Sequence, residues 1–302
     1  MSNNNFQTVP SENKLGEEVE LPPLADIPVI DLSKAKGTQN ERRELVDQLM
    51  KAGQEYGFVQ VINHGVPKEL MEDTMAIYKE FFHLPYEEIT NLHRDTNRGA
   101  IGHGLHPRSA TYTRDTNRGA IGHGLHPLEA QMKTWPEKPR YRKVVAAYVK
   151  EISKVALKVL ELFAEGLGLE NKYFEGERSD NAYFKSYYYS LCSDPTSTLG
   201  LLTHADFLKD GKWLAIDVIP NALVFGVAAQ LQVISNGKLK SRDHRVVKNP
   251  KTSRLSICIF LKLFINDSNP PLYKSYTYGE FMDDYLTKMG ANAETISTYF
   301  KL

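Results

Sequence analysis

The chain has 302 residues, with Lys plus Arg and Asp plus Glu both at 37 and a formal net charge of zero. That balance, without a long basic run, excludes the electrostatic footprint of a nucleic-acid or membrane-surface binder and leaves small molecules as the expected partners. The length suits one generous domain with a large core.

Two cysteines, Cys192 and Cys258, are too few for a disulfide scaffold and fit a reducing compartment. The opening "MSNNNFQTVPSENK" lacks an apolar stretch of the secretory kind. The longest apolar run, "LSICIFLKLFI", is interrupted by Lys262 and is too short to span a bilayer. A cytoplasmic monomer with no nucleic-acid or membrane partner is the expectation.

Residues 1–24 are polar and then Pro-containing, and are expected to be mobile. "DIPVIDLS" predicts a short buried strand at Ile27 to Leu32. From Glu41, the spacing of Leu45, Leu49, Ala52 and Tyr56 predicts a helix ending about Gly57. "FVQVINHGVP" alternates as a strand that stops at Gly65. Pro67 then opens a helix whose face Leu70, Thr74, Ile77 and Phe81 carries to about His83.

The fourteen letters "RDTNRGAIGHGLHP" occur at 94–107 and recur unchanged at 114–127. Two copies are too few for a solenoid, so the expectation is a local duplication, Gly-rich and mostly loop. It gathers His103, His106, His123 and His126 at His-x-x-His spacing, but no Cys or carboxylate stands nearby at ligand spacing, and loop histidines are the expected outcome. Beyond "WPEKP", Val144, Tyr148, Ile152, Val155, Val159, Leu162 and Phe163 predict a long helix over 140–165, ended by Gly166 and Gly168. From Asn181 onward, short runs of Tyr, Val, Ile and Phe between Pro, Gly, Asn and Asp turns predict a β-sandwich or barrel.

The chemistry concentrates in that half. In "LLTHADFLKDGKWLAI", His204 and Asp206 stand two apart on a predicted strand, so an imidazole and a carboxylate share one side. His244 in "SRDHRVV" would complete a two-histidine, one-carboxylate triad, which leaves open positions and suits non-haem Fe(II). The spacing alone equally fits a surface or core pair. Arg254 and Ser256 in "SRLSICIFL" are also two apart; a guanidinium fork plus a hydroxyl suits a carboxylate, while an edge-strand Arg facing solvent is the plainer alternative.

"DIPVIDLS", "YGFVQVINHGVP", "THAD", "DGKWLAI", "DHRVV" and "RLSI", in that order, resemble the plant family of soluble 2-oxoglutarate- and Fe(II)-dependent dioxygenases over nearly the whole chain after residue 25. "GHGLHP", "WPEKP", "DPTSTLG" and "NPPLYKSYTYGEF" resemble members that work in alkaloid biosynthesis. The resemblance implies an α+β, mainly β fold: a double-stranded β-helix, jelly-roll and cupin-like, at 181–302 with the C-terminal segment, preceded by a helical region at 25–180. It further implies His204, Asp206 and His244 as iron ligands, and Arg254, Ser256 and Tyr189 as the grip on 2-oxoglutarate. Tyr189 falls within "YYYSLCS", where the family has "NYYPPCP"; Tyr187 replaces its asparagine, and Ser190, Leu191 and Ser193 replace its prolines. Dioxygen as co-substrate and ascorbate as reductant come with the same resemblance. The implied reaction couples decarboxylation of 2-oxoglutarate to succinate and CO2 with hydroxylation of an aliphatic C–H, the substrate being a small plant metabolite such as the tropane alkaloid hyoscyamine.

The departure from the family lies after Asp206. There Phe207 runs straight into Leu208 where the family continues a strand, a turn and a second strand, so one core strand pair is deleted, with unpaired edges expected around the site. An impaired remnant or truncated form that at most binds a small molecule or partner is the alternative expectation. A zinc hydrolase would need a positioned general base that the sequence does not offer.

Overall fold

The computed structural model describes residues 23–85, 88, 118–133, 135–136, 140–176, 182–189, 201–246, 252–261 and 301, with backbone alone for 118–120, 201–206 and 245–246. The first repeat copy, Cys192 and the segment "NPPLYKSYTYGEF" lie outside them.

Short strands β1 (Leu24–Ala25) and β2 (Val29–Asp31) lead through a 3-10 turn at Leu32–Lys36 into α1 (Gln39–Glu55). Thr38 starts α1 because its hydroxyl accepts from the Glu41 amide while the Glu41 carboxylate accepts from the Thr38 amide at 2.7 Å, satisfying two orphan donors at once. Leu45, Val46, Leu49 and Ala52 form its buried stripe. Gly57 then turns the chain with φ 73 where a Cβ would strike the Lys240 carbonyl, so glycine is required at this junction. β3 (Phe58–Ile62) and α2 (Lys68–Phe82) follow, close to their sequence expectations.

The second repeat copy is not a loop: Arg118–Gly124 form β4, followed by a short helix α3 (Leu128–Met132). The Gly-rich letters hide a strand that is held by its pairing with a tyrosine-rich neighbour. α4 (Tyr141–Leu167) is the long apolar helix expected, capped by Gly168 at φ 72. Its buried face packs against α1 and α2, and the main core lies among the three helices and the inner faces of two sheets.

The remaining elements are β5 (Tyr183–Tyr189), β6 (Leu201–Lys209), β7 (Lys212–Ile216), β8 (Leu223–Gly226), α5 (Ala229–Ile234), β9 (His244–Val246) and β10 (Arg254–Phe260). Three sheets result, in the orders β1-β7-β6-β9, β10-β5-β4 and β2-β3-β8. β8 pairs antiparallel with β3, so the β-rich half adds a strand to the N-terminal region's sheet. Helix α5 was not expected, because "AAQLQVI" also reads as an alternating strand.

The junction after Phe207 differs from the expectation of open edges. β6 continues through Leu208 to Lys209 and folds back into β7 through Asp210 and Gly211, at φ 51 and 75. Two left-handed residues in sequence make the type I′ hairpin that matches strand twist. β6 is paired on both sides, by β7 and by β9, so no free edge opens at this point.

Candidate active site

The two halves of the expected site lie on two sheets. On the first, β6 and β9 run antiparallel with His204 and Asp206 both registered to Arg245, and Phe207 to His244. The backbones of all three expected iron ligands therefore share one ladder, whose neighbouring strands lie about 4.8 Å apart. The ladder is irregular between Leu201 and His204 and again between His204 and Asp206. Such bulges bend a strand and re-aim its side chains.

His244 is the one expected ligand whose side chain is described. Its ring stands edge-on to Phe58 at 5.5 Å, and Phe58 in turn packs on the fully buried Phe207 at 5.5 Å. Nδ1 lies 2.9 Å from the Arg242 carbonyl oxygen. A carbonyl only accepts, so Nδ1 carries the proton and Nε2 of the neutral ring keeps its lone pair. Burial holds the imidazole below its ordinary pKa, against the raising effects of the Arg242 bond and the Asp243 charge. A histidine whose other nitrogen is anchored on a backbone carbonyl is how imidazole ligands are commonly oriented toward a metal. Among the described side chains no group of three His, Cys, Asp or Glu residues converges.

The second sheet places Arg254 opposite Tyr189 and Ser256 opposite Tyr187. Directly paired residues of a ladder share a face, so these four line one side of β10 and β5. Arg254 Nε donates to Ser256 Oγ at 3.2 Å, and Tyr189 is 2% exposed. The plainer alternative, a solvent-facing arginine, is not what is found: Arg254 is half-buried beside a nearly enclosed tyrosine. Guanidinium, hydroxyl and phenol together form a donor set suited to a carboxylate.

The same face carries two residues that sequence reasoning missed, Lys185 and Cys258, which are registered to each other. Lys185 is buried, with its ammonium 4.7 Å from the Tyr187 ring centre. Burial pushes the Cys258 thiol up to about 11, with Arg254 and Lys185 pulling the other way. The period of two in "YFKSYYY" against "RLSICIF" could have found both once the two strands were paired.

Of the duplicated histidines, His123 is fully buried, with Nε2 2.7 Å from the Tyr141 hydroxyl and its ring stacked on Trp135 at 4.8 Å. His126 is exposed, and His103 and His106 lie outside the described residues.

Comparison with known proteins accounts for this arrangement. Residues 27–141 match the family model described as non-haem dioxygenase in morphine synthesis N-terminal, and 180–263 match that of the 2OG-Fe(II) oxygenase superfamily. The chain is 37% identical to hyoscyamine 6-dioxygenase of Hyoscyamus niger, covering 89% of this chain and 88% of that one. It is 30% identical to flavanone 3-dioxygenase 2 of Oryza sativa subsp. japonica, over 87% and 84%. Its backbone superposes on a crystal structure of JOX2 in complex with 2OG, Fe and JA with a TM-score of 0.76 at 24% identity, covering 95% of this chain and 92% of that one. That likeness shows the double-stranded β-helix fold of these oxygenases. The chain thus belongs to the 2OG-Fe(II) oxygenase superfamily and is a 2-oxoglutarate-dependent dioxygenase that uses Fe(II).

Proposed function

We propose that this dioxygenase hydroxylates a small plant specialised metabolite, and that the substrate is a tropane alkaloid such as hyoscyamine. The alkaloid reading is supported by the 37% identity to hyoscyamine 6-dioxygenase across most of both chains. Iron would be held by His204, Asp206 and His244, and the distal carboxylate of 2-oxoglutarate by Arg254, Ser256 and Tyr189. The observation that carries the reading is the shared face of Arg254, Ser256 and Tyr189 on paired strands, with the guanidinium already engaged to the serine hydroxyl at 3.2 Å.

When bound, Fe(II) with 2-oxoglutarate and dioxygen supplies the oxidising chemistry. The protein's part is placement. Arg254 offers a planar two-point grip that fixes the co-substrate's far end, and the Ser256 and Tyr189 hydroxyls complete it. The Arg242 carbonyl keeps the His244 proton on Nδ1 and leaves Nε2 available. Tyr187, Tyr189 and the buried Lys185 crowd the same face and exclude water from it.

The test is succinate release with Fe(II), ascorbate and a panel of tropane alkaloids. Alkaloid-stimulated succinate release in the parent, lost in Arg254→Ala, is the expected result. A parent that turns over 2-oxoglutarate equally with and without every alkaloid would remove the substrate assignment while leaving the family membership intact.

A further inference from the structure

The place that the second repeat copy fills in the sheet is closely fitted. Ile121 is 3% exposed, Leu125 is buried, and the Leu125 amide donates to the Ala182 carbonyl at 3.1 Å. His123 Nε2 meets the Tyr141 hydroxyl, which donates to the Tyr78 hydroxyl at 2.9 Å, deep in the core. Gly122 lies so close to Tyr183 that a Cβ would strike its hydroxyl. Arg118 stands in register with Tyr189, at the edge of the co-substrate face. Each of these residues has a counterpart of the same type in the first copy: Arg98, Ile101, Gly102, His103 and Leu105. Every contact that defines the place can be made by either copy.

We propose that the two copies compete for this one place, giving the chain two strand registers, with β4 formed by 118–124 or by 98–104. The connections permit both. Removing residues 94–113 or residues 108–127 leaves the same sequence, so joining the first copy to Leu128 requires nothing that a single-copy chain does not already have. The link from Pro85 to Arg98 would be residues 86–97, which reach about 40 Å when extended. The first-copy register adds a closed loop of residues 108–127 before α3, which costs loop-closure entropy, so the second-copy register is the major one.

A disruptive residue in one copy is then rescued by the other. The test compares thermal unfolding of the parent with Ile101→Asp, Ile121→Asp and the double variant, alongside the single-copy chain lacking 94–113 and carrying Asp in place of its one remaining isoleucine at that repeat position. A carboxylate at a core position is strongly destabilising when nothing can replace it. Ile101→Asp is expected to melt with the parent and Ile121→Asp about 5 °C lower. The double variant and the single-copy Asp chain are expected about 15 °C lower or unable to fold. The rescue should be independent of protein concentration. Ile121→Asp falling as far as the double variant, rescue that disappears on dilution, or no loss in the double variant would each overturn the proposal.

Discussion

Arg254 and Ser256 stand two apart on β10, and their side chains meet, Nε to Oγ at 3.2 Å, on the face that Tyr187 and Tyr189 present from β5. Lysine at 254 keeps the charge but loses the planar fork. Arg254→Lys is therefore expected to raise the 2-oxoglutarate KM about tenfold, the loss of roughly one charge-assisted hydrogen bond, while leaving alkaloid binding within about twofold. Equal 2-oxoglutarate affinity in variant and parent would count against Arg254 as the carboxylate grip.

Cys258 shares that face, and burial holds its thiol at about 11, well above the ordinary range. Thiolate is the nucleophile, so at pH 7.5 the folded protein should alkylate at Cys258 at least about a hundredfold more slowly than the denatured chain. Mass mapping of iodoacetamide adducts measures this. Rapid modification of native Cys258 would show that the face is open to solvent.

His123 sits in the core, and burial lowers its pKa to about 3. A group whose folded pKa is depressed below its unfolded value binds more protons when unfolded. The stability this contributes is full above pH 6.5 and is lost as pH falls from there toward 3, at up to about 1.4 kcal/mol per pH unit. Because the first copy carries an equivalent residue, the effect should be read in a single-copy chain. There, replacing the histidine by Gln should flatten the acid side of the Tm profile between pH 6 and 4. An unchanged slope would assign the acid sensitivity to other groups.

With His123 committed to Tyr141 and stacked on Trp135, the duplicated segment should not hold a second metal. Metal analysis of the iron-loaded protein is expected to give one equivalent per chain, unchanged when His103, His106 and His126 are replaced. Two equivalents that fall to one with those replacements would contradict this.

Much of the helical scaffold was legible in the sequence because its signals are local. The Leu45-Leu49-Ala52 stripe and the long Val144-to-Phe163 stripe follow the helical period, and Gly168 ends α4 as a left-handed cap. β4 was not legible: among "RGAIGHG" only Ile121 is strongly apolar, and the strand exists because β5 is there to pair with it. The contact between His123, Tyr141 and Tyr78 joins residues 18 and 63 positions apart, and no local pattern announces it. The candidate site shows the same division. Residue types and their i, i+2 spacing could be read, but the presence of Lys185 and Cys258 beside Arg254 depends on which strands pair. The hairpin after Phe207 could have been read from "KDGK", since Asp-Gly between alternating runs is a strong two-residue turn signal.

That hairpin yields the last prediction. Asp210 and Gly211 both adopt left-handed backbone, at φ 51 and 75, and they fix where β6 turns back into β7. An alanine pays about 1–2 kcal/mol in that region, whereas glycine does not and aspartate pays less. Replacing both by Ala is thus expected to cost about 2 kcal/mol of stability. β6 also carries His204 and Asp206, whereas Arg254, Ser256 and Tyr189 stand on a different sheet. The strain should therefore reach the two halves of the site unequally. Fe(II) affinity should fall about tenfold, the loss usual when the support behind metal ligands is disturbed, with 2-oxoglutarate affinity measured on the iron-free protein nearly unchanged. Thermal melts and parallel titrations with Fe(II) and 2-oxoglutarate check this. A variant that loses stability but keeps parental iron affinity would show that β6 holds its register without the turn, through its pairing with β9 alone.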